Sequence, residues 1–96
     1  MEDLGIYAVY DNKAQRYDTP FFAMNDLFAE RIFTMRIKNN DTVFSNFAQD
    51  FQLEKIGFFS DIEGTLDEHA GANGRTIVTG TQILKEIAKY ENSNEA

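Results

Sequence analysis

The chain of 96 residues has no cysteine and no tryptophan, one proline and one histidine. Without cysteine, neither a disulfide framework nor a thiolate metal site can form, and a reducing compartment suits the composition. With His69 alone, the usual general base and the usual metal ligand are available at a single position. Cations are scarce too: nine Lys and Arg stand against sixteen Asp and Glu, for a net charge of -7. That balance argues against a general nucleic-acid binder, which needs a surplus of Lys and Arg. No stretch approaches the roughly 20 apolar residues of a membrane span. The start Met1-Glu2-Asp3-Leu4-Gly5 lacks the basic and apolar segments of a signal peptide. A soluble, unexported protein without membrane contact is expected.

What the chain does have is aromatic side chains, nine Phe and four Tyr. Each buried ring removes much apolar area from water, which a short chain needs because it buries a smaller share of its surface than a large one. Rings that do not fit inside would form an exposed patch suited to another protein or to stacked bases. The length predicts one domain, over residues 1–90, followed by a polar tail at 91–96.

Residues 4–10 carry Ile6, Tyr7, Val9 and Tyr10 and read as a strand ending at the turn pair Asp11-Asn12. Residues 13–18 read as a loop, leading to a short extended piece that begins at Pro20 or lies at a sheet edge. Asn25 and Asp26 open a helix running to about residue 38, with Phe28, Ile32 and Met35 at helical spacing as its expected buried stripe. Residues 51–59 read as a strand with Phe51, Leu53, Gly57 and Phe59 on one face and Ile56 and Phe58 on the other. Gly57 predicts a bulge or a close backbone approach. The stretch 60–64 supplies turn chemistry and returns Thr65-Leu66 as the second arm of a hairpin. Residues 67–74 read as an exposed loop and 76–79 as a short strand. A second helix, capped by Thr81, has Ile83, Leu84, Ile87 and Ala88 as its apolar stripe. The expected fold is α+β: a small antiparallel sheet packed against one main helix, with a shorter C-terminal helix.

Candidate chemistry is thin. His69 beside Asp67 and Glu68 suggests a metal or acid–base site, but neighbours in a flexible loop do not fix ligand geometry. Asp61, Glu63, Asp67 and Glu68 do not meet the offsets of a calcium loop. Gly71, Gly74 and Gly80 match no phosphate-binding pattern, and Ser45, Ser60 and Ser93 lie in no nucleophile elbow. No catalytic centre, metal site or cofactor is expected, and the chain reads as a binding protein rather than an enzyme. The charge excess is uneven, because up to residue 40 basic and acidic residues nearly balance. The first half also holds Tyr7, Tyr10, Tyr17, Lys13, Arg16 and Arg31. Rings beside cations can stack and neutralise a single strand, and Tyr7, Tyr10, Lys13, Arg16 and Arg31 form the candidate nucleic-acid-binding set. The alternative is half-buried tyrosines and ordinary solvated charges.

Three blocks in order, Ile6-Tyr7-Ala8-Val9-Tyr10-Asp11-Asn12-Lys13-Ala14, Pro20-Phe21-Phe22-Ala23-Met24-Asn25-Asp26 and Asp50-Phe51-Gln52-Leu53-Glu54-Lys55-Ile56-Gly57-Phe58-Phe59-Ser60-Asp61, resemble the small nonstructural protein of gokushovirus-type microviruses. These are bacteriophages with single-stranded circular DNA genomes. The resemblance implies an accessory protein acting in the host cytoplasm, in single-stranded DNA synthesis or packaging. The partners it implies are phage replication or packaging proteins and single-stranded DNA. Two expectations follow. One is an accessory factor touching DNA weakly through the first strand and helix. The other is a homo-oligomeric interaction module that acts on phage or host proteins without binding DNA.

Overall fold

The computed structural model describes residues 4–39, 46–68 and 75–95, with side chains as far as residue 90. Two long strands form its centre: β1 (Leu4–Asp11) and β4 (Phe51–Ser60), antiparallel from Leu4 opposite Phe59 to Asp11 opposite Phe51. Each is flanked on its outer side by two short strands set one after the other. β2 (Arg16–Tyr17) and β3 (Phe21–Ala23) pair with the two ends of β1. β5 (Thr65–Glu68) and β6 (Thr76–Thr79) pair with the two ends of β4. The expected α+β fold is what the chain forms, with α1 (Asp26–Lys38) and α2 (Gly80–Glu95) completing it.

Local chemistry explains most element ends. The Asp11 carboxylate accepts the Lys13 and Ala14 amides at 2.9 and 3.1 Å, and Gln15 takes a left-handed φ of 56°, closing a hairpin. The expected loop at 13–18 therefore contains the short strand β2. Pro20 directly precedes β3, which lies at the sheet edge as its missing N–H requires. The Asn25 side chain caps α1 by accepting the Phe28 amide at 2.8 Å, and Asp26 lies at the positive dipole end. Gly64, at φ 69°, closes the β4–β5 turn and donates its amide to the Ser60 carbonyl. β5 continues through Asp67 and Glu68, two residues expected in a loop; His69, Gly71 and Gly74 lie outside the described residues. The cap of α2 is Thr79 rather than Thr81. Thr79 and Gln82 exchange bonds reciprocally, the Gln82 amide to Thr79 Oγ1 and the Thr79 amide to Gln82 Oε1, as a capping box. The backbone past residue 90 continues α2.

The core lies on one face of the sheet. Tyr7 and Val9 of β1, Phe51 and Leu53 of β4 and Val78 of β6 meet Ala29, Phe33 and Ile37 of α1 and Ile83 of α2. The buried stripe of α1 thus lies beside the expected one: Phe28 and Met35 are 44% and 70% exposed, and Ile32 is half-buried. Seven of the thirteen α1 residues are apolar and they wrap most of the helix, so spacing alone does not choose a face. Small Ala29 in the buried stripe lets the helix come close to the sheet. In α2, Ile83 is buried and Ile87 packs against the core, whereas Leu84 and Ala88 are exposed.

The β4 faces also differ from expectation. Ile6 pairs with Gly57 but Tyr7 with Lys55, so Ile56 is an extra, bulged residue that reverses the alternation. Phe59 therefore turns away from the core and meets Phe22, ring centroids 5.6 Å apart. Gly57 is there for room as well: a Cβ would come within 2.5 Å of the Asp67 carbonyl oxygen.

Candidate functional site

Strand alternation sends β1 side chains to opposite faces, and this divides the candidate set. Tyr7 is fully buried on the helix side, its ring 5.9 Å from Phe21. Its hydroxyl donates to Asp26 Oδ1 at 2.6 Å, and Lys55 Nζ lies 3.4 Å from the same oxygen. Burial first, then the bond to the Asp26 carboxylate and its charge, raise the Tyr7 phenol well above the ordinary tyrosine value. Tyr7 ties β1, α1 and β4 together and has no ring face open to a ligand, so it is removed from the nucleic-acid set.

Tyr10 points the other way. It pairs across strands with Tyr17, the ring centroids 4.7 Å apart and tilted by 52°. Tyr17 is 50% exposed, and its hydroxyl donates to Glu54 Oε1 at 2.8 Å. Since Glu54 is on β4, Tyr17 reaches across β1, where the residue opposite Glu54 is the small Ala8. The hydrogen bond to Glu54, followed by burial, raises the Tyr17 phenol above its usual value, while the charge of Arg75 opposes this. Glu54, 7% exposed, also accepts Gln52 Nε2 at 2.7 Å, and the Gln52 amide oxygen accepts Asn12 Nδ2 at 3.3 Å. Arg75 is anchored beside this network through its carbonyl, which accepts the Lys55 amide. The Arg75 Nε is buried and has no hydrogen-bond partner among the described residues.

The other candidates are scattered. Lys13 is exposed in the turn that joins β1 to β2. Arg16 pairs with Asp11, one residue from Tyr17, so alternation directs it to the helix side. Arg31 is exposed on the outward face of α1. Of the five, only Tyr10 belongs to the ring pair. Its neighbours Tyr17 and Arg75 lie outside the candidate set, although Tyr17 was visible in the sequence as one of the first-half aromatics.

Neither described helix packs on the face that carries Tyr10, Tyr17, Phe22 and Phe59. No metal-holding cluster of His, Cys, Asp or Glu occurs among the described residues, and no described helix is long and apolar enough to cross a membrane. This is a small α+β sheet protein with helices on one face and a polar and aromatic surface on the other. The sequence profile of the family described as Phage ORF5 protein matches residues 4–83, and the chain belongs to that family. It is a small bacteriophage protein. No curated protein and no solved structure matches it.

Proposed function

We propose that the protein is a non-enzymatic accessory factor of a single-stranded DNA microvirus, working in the host cytoplasm in single-strand synthesis or packaging. It holds the strand weakly on the open face of its sheet. The observation that carries this reading is the Tyr10–Tyr17 ring pair, with Tyr17 half exposed, on the sheet face opposite α1 and α2. A base stacked on such a ring gains about 1–3 kcal/mol, whatever its identity. Arg75 beside the rings and Lys13 in the adjoining turn supply phosphate contacts, while the charge of -7 keeps the affinity modest.

Fluorescence anisotropy with a labelled thymidine oligonucleotide at about 50 and about 200 mM salt tests this, because phosphate contacts weaken as salt rises. Tyr17→Ala is expected to reduce affinity by about tenfold, within the value of one stacked base. Tyr17→Phe, which keeps the ring, leaves binding near wild type. Arg75→Ala reduces both affinity and salt dependence, while Lys85→Ala with Lys89→Ala changes little. No binding at low salt, or an equal loss from the Lys85 and Lys89 changes, overturns the reading.

A second reading is favoured by exposed apolar side chains: Leu27, Met35, Ile62 and Leu66 are each more than 60% exposed. In it the chain is an interaction module that self-associates and acts on phage or host proteins without binding DNA.

A further inference from the structure

Two surfaces away from the ring pair complement each other. On the outward face of α1, Leu27, Arg31 and Met35 follow one another at four-residue spacing and therefore form one stripe. With Glu30, Thr34 and Lys38 they line a shallow groove. Leu27 and Met35 are 63% and 70% exposed. The second surface is the hairpin arm at 61–68, where every residue is exposed. It carries Asp61, Glu63, Asp67 and Glu68 and no cation, together with Ile62 and Leu66 at 74% and 68% exposure. The hairpin sets its aliphatic side chains beside acids alone and the groove sets its own beside two cations and one acid, Glu30, so each surface suits a partner of opposite net sign.

We propose that the acidic hairpin of one copy docks into the α1 groove of a second copy, and reciprocally, so that a two-fold dimer contains the contact twice. Charge selects this pairing. Two chains that each carry -7 repel on average, hairpin on hairpin sets acids against acids, and α1 on α1 sets Arg31 and Lys38 against their own copies. Hairpin on α1 joins opposite charges and covers all four aliphatic side chains. The β1–β2 turn offers cations too, Lys13 and Arg16, but no exposed aliphatic side chain larger than Ala14. A two-fold axis satisfies both surfaces of both copies, whereas a single one-way contact would leave one of each free and propagate. This proposal rests on the self-association of the second reading and does not depend on DNA contact.

Sedimentation of the full chain and two charge-reversed variants tests it. Wild type is expected to be a dimer whose dissociation constant rises with salt. Arg31→Glu with Lys38→Glu makes both docking surfaces acidic, and Asp61→Lys, Glu63→Lys and Asp67→Lys together leave Glu68 as the one acid of the hairpin arm and make both basic. Each variant alone is expected to lose dimer affinity at least tenfold, since its attractive pairs become repulsive. Mixed in equal amounts, they should form a heterodimer, because one of its contacts is native and the other is reversed on both sides. All five positions are exposed, and circular dichroism verifies that the variants fold. A wild type that stays monomeric to millimolar concentration, variants that still self-associate, a mixture that stays monomeric, or open-ended growth overturns the proposal. DNA affinity is read separately by anisotropy, so the two readings fail independently.

Discussion

Phe33 is fully buried in the middle of the stripe through which α1 meets the sheet. Its replacement by Ala removes a whole ring from among Ala29, Ile37 and the sheet side chains, and the surroundings close over the space only in part. Such truncations cost about 3–5 kcal/mol. Domains are typically stable by about 5–15 kcal/mol, so Phe33→Ala takes a large part of the total. At about 4–8 °C per kcal/mol for a chain of this size, Tm should fall by about 12–40 °C. Phe28 is the internal control, on the same helix but 44% exposed. Burying a whole Phe contributes about 1.5–3 kcal/mol, so Phe28→Ala should cost about 1 kcal/mol and leave no closed cavity. Urea unfolding followed by circular dichroism separates the two, with a fall in the midpoint at an unchanged slope marking lost stability. If Phe28→Ala costs as much as Phe33→Ala, α1 does not present the Ala29, Phe33 and Ile37 face to the core.

Tyr7 gives a pH signature. Its raised value means that the folded state keeps the phenol proton where the unfolded state loses it, so its contribution is complete below the ordinary value of about 10 and falls as pH rises toward the folded value. Tyr7→Phe should lower stability at neutral pH by about 1 kcal/mol, the net value of a hydrogen bond, and change the pH dependence of stability above about pH 10. An alkaline profile unchanged by the substitution contradicts the Tyr7–Asp26 bond. Gly57→Ala should cost about 1–3 kcal/mol, because its Cβ meets the backbone of β5 rather than a movable side chain; a thermal melt equal to wild type contradicts that approach. Gln82→Ala removes half of the α2 capping box and should cost about 0.5–2 kcal/mol, read by thermal melting; no change would mean that Thr79 alone caps the helix.

The parts of the fold legible in sequence are those fixed by short-range chemistry. Asn25 before Asp26 marks the start of α1, Pro20 marks an edge strand, and Gly64 marks the β4–β5 turn. What stayed hidden depends on contacts distant in sequence or on one backbone torsion. Gln15 adopts a left-handed φ where no Gly or Asn announces it, so β2 was concealed in a polar stretch. The bulge at Ile56 was foreshadowed by Gly57, but its effect on every later β4 side chain emerges only from the pairing with β1. The rotation of α1 is decided by which of two overlapping apolar stripes can approach a sheet already filled by Tyr7, Val9 and Leu53.

The candidate set is divided between the two sheet faces for a reason that the sequence did contain. Tyr7 and Tyr10 are three apart on one strand, and Arg16 and Tyr17 are adjacent, so in each pair the members must face opposite sides of a two-residue repeat. No single sheet face could have held the set. Strand parity alone separates Tyr7 and Arg16 from Tyr10 and Tyr17. It does not supply Arg75, which is 58 residues after Tyr17 and reaches it only because the Arg75 carbonyl holds the chain to Lys55 on β4. A ring pair can thus be inferred from two strands and a turn, whereas the cation beside it depends on the whole sheet. That division also sets what each substitution reports: Tyr17→Ala examines the local ring platform, and Arg75→Ala examines whether the sheet as a whole brings charge to it.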